Sequence, residues 1–239
     1  MAVERTESPR DRAWIIPLTR SAVALVAAVI ITFNANHSPL LGLLVFGGFA
    51  VLTGVLVLVF ALLWLTGVVR TLFAAIGGVG VVTGVAALLL HSGGLGWFLT
   101  LVSLWAVVTG VLELYAGIRS RRRLPAARDW MTIGGLSVLM AIVFLLVPPD
   151  FAKHYVEEGD QTLTSAVILV GVFGAYAAIV CVYLAIGGFS LKWGAQDQAV
   201  EEAGPDGAEG SGGTGEPGDA DRAGGPDRRG ADERRKGVS

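Results

Sequence analysis

Val107-Val-Thr-Gly-Val-Leu-Glu-Leu-Tyr-Ala-Gly-Ile-Arg-Ser-Arg-Arg-Arg123 decides how this chain is read. It is the end of a long apolar segment running into four arginines, and it carries Glu113, the one carboxylate between Asp11 and Asp129. The arginines indicate on which side of a bilayer the segment stops. Glu113 puts a charge where charge is costly.

Outward from that stretch the chain is too apolar for water. Hydrophobic residues make up 53% of 239, the mean hydropathy is +0.64, and the 92 residues from Ser21 to Leu112 hold a single formal charge, Arg70. The uncharged runs 21–34, 40–69, 71–112, 130–149 and 162–191 reach, whole or divided, the roughly 20 residues at about 1.5 Å each that cross a hydrocarbon core. This is the pattern of an all-α integral membrane protein. The net charge of −2 sums two unlike regions: residues 1–194 hold 12 basic and 9 acidic groups, residues 195–239 hold 6 and 11. Cys181 has no second cysteine to pair with, so it reads as a small apolar core residue. The N-terminus mixes acids with its arginines and lacks a small-x-small cleavage site, so the first apolar run reads as a retained helix.

Six spans are expected, at about 14–34, 40–64, 71–90, 96–118, 130–147 and 163–189. Pro39 suits a helix start and Pro148-Pro149 a helix stop. The transmembrane domain is 14–190, after a polar N-terminus at 1–13 and before a Gly-, Pro- and acid-rich tail at 191–239. From Ala195 that tail has no aromatic residue and is expected to be disordered. An even number of spans puts both termini on one side, and the positive-inside rule makes that side cytoplasmic. Arg5, Arg10, Arg12, Arg70, Arg119, Arg121, Arg122, Arg123, Arg128 and Lys192 then lie inside, with Lys153 alone outside. Trp14, Trp64, Trp130 and Trp193 fall at inner helix ends and Trp97 at an outer one, as interfacial rings prefer. The expected location is the plasma membrane.

Val-Leu-Thr-Gly-Val (51–55) and Val-Val-Thr-Gly-Val (81–85 and 107–111) form an internal repeat. The odd spans align at even spacing on Ala27, Gly84 and Ala141, and the even spans on Gly54 and Gly110 at a spacing one shorter. The sixth span joins if the last outer loop is about six residues longer. The reading is three helical hairpins of about 57 residues each. Small residues at Ser21, Gly78 and Gly135, and at Ala27, Gly84 and Ala141, are expected to let backbones approach closely, as is Gly80-xxx-Gly84.

Glu113 lies about five residues inside the arginine edge and Arg20 about six residues into the first span, at similar depths from one face. They are the natural ion pair, with Arg70 the rival partner. A structural clamp and a protonatable gate are the two roles such a pair offers. His37, His91 and His154 fall one per outer loop. Beside Asp150, Glu157, Glu158 and Asp160 they are candidates for acid sensing, though no spacing supports metal ligation. No phosphate loop, nucleophile elbow or Cys-x-x-Cys is present, and the expectation is a non-enzyme without cofactor. Its partners are the bilayer and other membrane proteins or copies of itself, with no nucleic acid.

These residues carry a family likeness. The hairpin repeats with small residues near each odd-helix start, Arg20 in the first span, Thr109-Gly-Val-Leu-Glu-Leu114, the basic loop with Trp130 and Gly134-Gly135, and the stop at Pro148 resemble the HdeD-type acid-resistance membrane proteins of bacteria. The resemblance covers about residues 14–190. It implies a six-helix inner-membrane protein linked to survival under acid stress, with no catalytic residues to carry over. Ser21 and Ala27 stand where that family usually has Gly, Asn34 replaces a Pro, and the acidic tail is extra. The alternative function is a small-solute or proton pathway with Arg20 and Glu113 near its inner mouth.

Overall fold

The six expected spans fold as six helices, and each is long and apolar enough to cross a membrane. The computed structural model describes residues 14–122, 126–148, 152–154 and 162–202. Helix α1 is Ile15–Phe33, α2 Pro39–Trp64, α3 Gly67–Leu89, α4 Gly94–Ser120, α5 Ala127–Leu146 and α6 Ser165–Glu202. Between α5 and α6, strand β1 (Ala152–His154) pairs antiparallel with β2 (Thr162–Thr164), aligning Lys153 with Leu163. The sequence suggests only a polar loop there. The chain divides into two compact units, Met1–Ala199, which holds the spans, and Val200–Ser239, described only as far as Glu202.

Local chemistry sets the helix ends. Ser38 caps α2 by accepting from the Leu41 amide at 3.3 Å, with Pro39 in the first turn where no donor is needed. Gly67 and Gly94 open α3 and α4 at φ +61° and +72°, a backbone that L side chains rarely adopt. Gly67 lets α3 begin after a link of only Leu65 and Thr66, earlier than the expected start near residue 71. Val147 before Pro148 is extended and ends α5. Helix α6 continues past Gly194 to Glu202, into the segment whose composition suggests disorder. Ala195, Gln196, Gln198, Ala199, Glu201 and Glu202 are sound helix formers, and no Pro intervenes before Pro205. The rest of the tail and residues 1–13 lie outside the described residues.

Large apolar side chains such as Leu25, Leu52, Val82, Leu104, Ile142 and Val182 face outward, while Ser21, Thr53, Thr109, Glu113 and Ser137 are buried. Lipid solvates the first group, so the helices are held together by close packing more than by hydrophobic burial. The tightest approaches join each even helix to the odd helix that follows it, across the boundaries of the expected hairpins. In α2 and α3, a Cβ on Gly54 would lie 2.7 Å from the Val81 amide nitrogen, and one on Gly77 2.7 Å from Gly54 O. In α4 and α5, a Cβ on Gly134 would lie 2.7 Å from the Leu114 nitrogen. The third seam joins α6 to α1. There Ser21 Oγ donates to Cys181 O at 2.9 Å, Gly188 lies under Leu18 and Gly174 under Ile31.

Burial refines the repeat. Every buried position of α3 has a buried counterpart in α5 at one constant offset, which sets Ile76 with Ile133, Gly77 with Gly134 and Gly84 with Ala141. In α1 the buried set is Ser21, Ala24, Ala27, Ala28 and Ile31. These match Gly77, Gly80, Thr83, Gly84 and Ala87 of α3 in order, at an offset one shorter. So Ser21 corresponds to Gly77 and Gly134, and Ala28, not Ala27, to Gly84. Gly78 and Gly135, expected at the close contacts, face open space. One residue turns a helix by about 100°, enough to move a position from the seam to the lipid. Helices α2 and α4 match as expected, with Phe49 at Trp105, Gly54 at Gly110 and Val57 at Glu113. In α6, Phe173 meets Phe46 and Phe49 as Trp105 does.

The Thr of each repeated Val-x-Thr-Gly-Val is satisfied within its own helix: Thr53, Thr83 and Thr109 donate to Phe49 O, Val79 O and Trp105 O at 2.6–2.7 Å. The repeated element is therefore a packing device. Gly77→Ala and Gly134→Ala should each cost about 1–3 kcal/mol by overpacking a backbone contact. Gly78→Ala and Gly135→Ala should be neutral or slightly stabilising. The melting temperature of the detergent-purified protein checks this, and equal losses at both members of a Gly-Gly pair would contradict the register.

Candidate functional site: an intramembrane ion pair

Arg20 and Glu113 meet. Arg20 Nη2 donates to Glu113 Oε1 at 3.4 Å, with the Glu113 side chain 4% and the Arg20 side chain 15% exposed. Glu113 is held on α4 one turn after Thr109-Gly110, at the crossing with α5, where its Cβ lies against Gly134. Arg20 projects from α1 at the position occupied by Ile76 in α3 and Ile133 in α5. The pair thus ties α1 to α4 across the bundle. Arg70, the rival partner, is exposed at the start of α3.

The geometry is single-point, not the two-pronged fork that Arg and a carboxylate can form. Arg20 Nε is buried and has no hydrogen-bond partner among the described residues. Beside the pair lies a cavity of about 20 Å³ with Thr53, Thr109, Ser137 and Tyr176 on its wall, room for about one water. Tyr176 Oη and Ser137 Oγ are 2.8 Å apart, and Ser137 Oγ also donates to Ile133 O at 3.0 Å. On the far side, Phe46, Phe49, Trp105, Phe173 and Tyr176 pack edge-to-face and stacked, with neighbouring ring centroids 5.5–6.4 Å apart. Polar groups gather at one depth, and aromatic rings fill the centre beyond them.

Toward the end where α1 starts, a wider cleft of about 380 Å³ opens, bordered by α1, α2, α3, α5 and α6. Arg20, Val57 and Leu184 border both spaces. Asp129 stands on the cleft wall, where its Oδ1 accepts from Tyr183 Oη at 2.9 Å. Lys192 Nζ lies 5.1 Å from the Trp14 ring centroid, so α1 starts and the apolar part of α6 ends at the same end of the bundle. Trp130, in the first turn of α5, is buried with its ring centroid 4.6 Å from that of Phe73. Ser137, Tyr176, Tyr183 and Asp129 were not singled out as site residues by the sequence. Their only signal is polarity on otherwise apolar faces.

The histidines do not join this site. His37 is half-buried in the α1–α2 turn, and His91 is exposed with Nδ1 2.8 Å from Leu88 O. His154 is in β1, its side chain outside what is described. Among the described residues no group of three or more His, Cys, Asp or Glu side chains is placed to hold a metal. Comparison with family models, curated proteins and solved structures yields no match.

Removing one partner of a buried pair strands the other, at about 3–5 kcal/mol, while replacing both by apolar groups is close to neutral. Glu113→Val should therefore sharply reduce folded, membrane-extracted yield. Adding Arg20→Ile, which restores the repeat residues at both positions, should recover most of it. Yield by fluorescence-detected size exclusion is the readout, and a double variant no better than the single would remove the pair as a clamp.

Proposed function

We propose that this integral membrane protein is a non-enzymatic, HdeD-type protein of the bacterial plasma membrane. In this reading both termini are cytoplasmic, and the protein acts in envelope or acid stress through its structure and its contacts with lipid, other membrane proteins or copies of itself. The observation that carries the structural role is the aromatic centre. The five rings of Phe46, Phe49, Trp105, Phe173 and Tyr176 occupy the bundle core directly beyond the ion pair, and the space beside the pair holds about one water. A pathway for solute needs a lumen, and this centre is packed. Arg20–Glu113 then serves as the clamp that seats α1, the helix whose seam lacks the glycine crossings of the other two.

Three experiments test the reading. Proteoliposomes loaded with a pH-sensitive dye should show no more proton flux than protein-free vesicles under an imposed gradient, whereas flux above that of protein-free vesicles would favour the pathway instead. In a Cys181→Ala background, Asn36→Cys should react with an impermeant maleimide on intact cells and Arg121→Cys only after permeabilisation. The opposite pattern would invert the topology. Cells lacking the protein should survive a low-pH challenge less well, and unchanged survival would detach the protein from acid stress.

A further inference from the structure

We infer that the cleft beside Arg20 binds a medium-chain carboxylic acid, with its head group against the guanidinium and its chain along the apolar wall. The cleft is about 380 Å³, within the range of small-molecule sites, and combines apolar walls with few polar groups as such sites do. Ile16, Pro17, Phe60, Trp130 and Leu184 supply apolar surface, and Arg20 stands where the cleft meets the inner cavity. A guanidinium has five N–H donors in a planar fork. Here one of them, on Nη2, has a hydrogen bond to Glu113, and the side chain is 15% exposed, which leaves donors within reach of a ligand in the cleft. A planar two-oxygen head group matches the unused donors better than any single hydroxyl.

Charge selects the protonation state of the ligand. Around Arg20, α4 contributes Glu113 and α5 contributes Asp129. Helix α6 contributes Tyr176, Tyr183 and, where its apolar part ends, Lys192 over Trp14. The α2 and α3 residues lining the two spaces are uncharged. Arg20 and Glu113 balance each other and Asp129 adds a further carboxylate on the cleft wall, so an anionic head group adds an unmatched charge in apolar surroundings. The acid therefore arrives with its proton, which either stays on the ligand carboxyl or passes to Glu113 as the ligand carboxylate pairs with Arg20. Both forms have the same total charge and one bound proton per ligand.

The site can be blocked without touching the ion pair. A Cβ on Gly187, which lines the cleft, would meet only Asp129 Oδ2, at 3.9 Å. Gly187→Leu should fill the cleft and leave the helix intact. Labelled octanoic acid is titrated onto the full chain in lipid nanodiscs, with empty nanodiscs as the partition blank. The expected result is one saturable site per chain, bound at least tenfold more tightly at pH 5 than at pH 8 and lost in Gly187→Leu at unchanged melting temperature. Octanol should compete at least tenfold more weakly than unlabelled octanoic acid. Three results overturn the inference: no saturable excess over empty nanodiscs, retained binding in Gly187→Leu, or octanol competing equally, which would make the cleft an unselective hydrocarbon pocket.

Discussion

Backbone-to-backbone approach at glycine is the constraint from which the rest of this structure follows. In lipid, apolar side chains gain little by turning inward, so helices associate where their backbones come close enough for dense packing. Gly54 against Gly77 and Gly80, and Gly110 against Gly134, provide that approach in two seams. The third seam has Ser21 where the others have glycine, and its contacts are a hydroxyl on Cys181 O and side chains over Gly174 and Gly188. Arg20, next to Ser21 in the chain, reaches from this seam to Glu113 of α4.

The ion pair is the consequence of one break in symmetry. The repeat places Ile76 and Ile133 at the Arg20 position and Val57 at the Glu113 position, so an idealised bundle is apolar at both. Arg20 and Glu113 replace two aliphatic contacts with one charged one between α1 and α4. Because that contact is single-point, the guanidinium retains donors toward the neighbouring space.

Polar groups in the membrane are treated in three ways. The repeated threonines return their hydroxyls to their own helices and do not bridge neighbours. Ser137 with Tyr176, and Tyr183 with Asp129, join α5 to α6 by side-chain hydrogen bonds. Arg20 and Glu113 place opposite charges beside a space with room for water. A chain with so few intramembrane polar groups concentrates its chemistry at that depth.

Six spans, their limits to within a few residues and the pairing of Arg20 with Glu113 were legible in the sequence, because each depends on quantities that add along a chain: apolar run length, charge and depth at a fixed rise per residue. Register was not. A shift of a single position is slight as an alignment of small residues, yet it turns α1 by about a quarter of a circle and exchanges Gly78 and Gly135 for Gly77 and Gly134 at the seams. The tertiary structure alone also decided which helices pair closely, that Trp130 is a core ring and that a cleft opens at Arg20. Those depend on which face of each helix meets a neighbour, and linear composition carries no record of faces when nearly every residue on them is apolar.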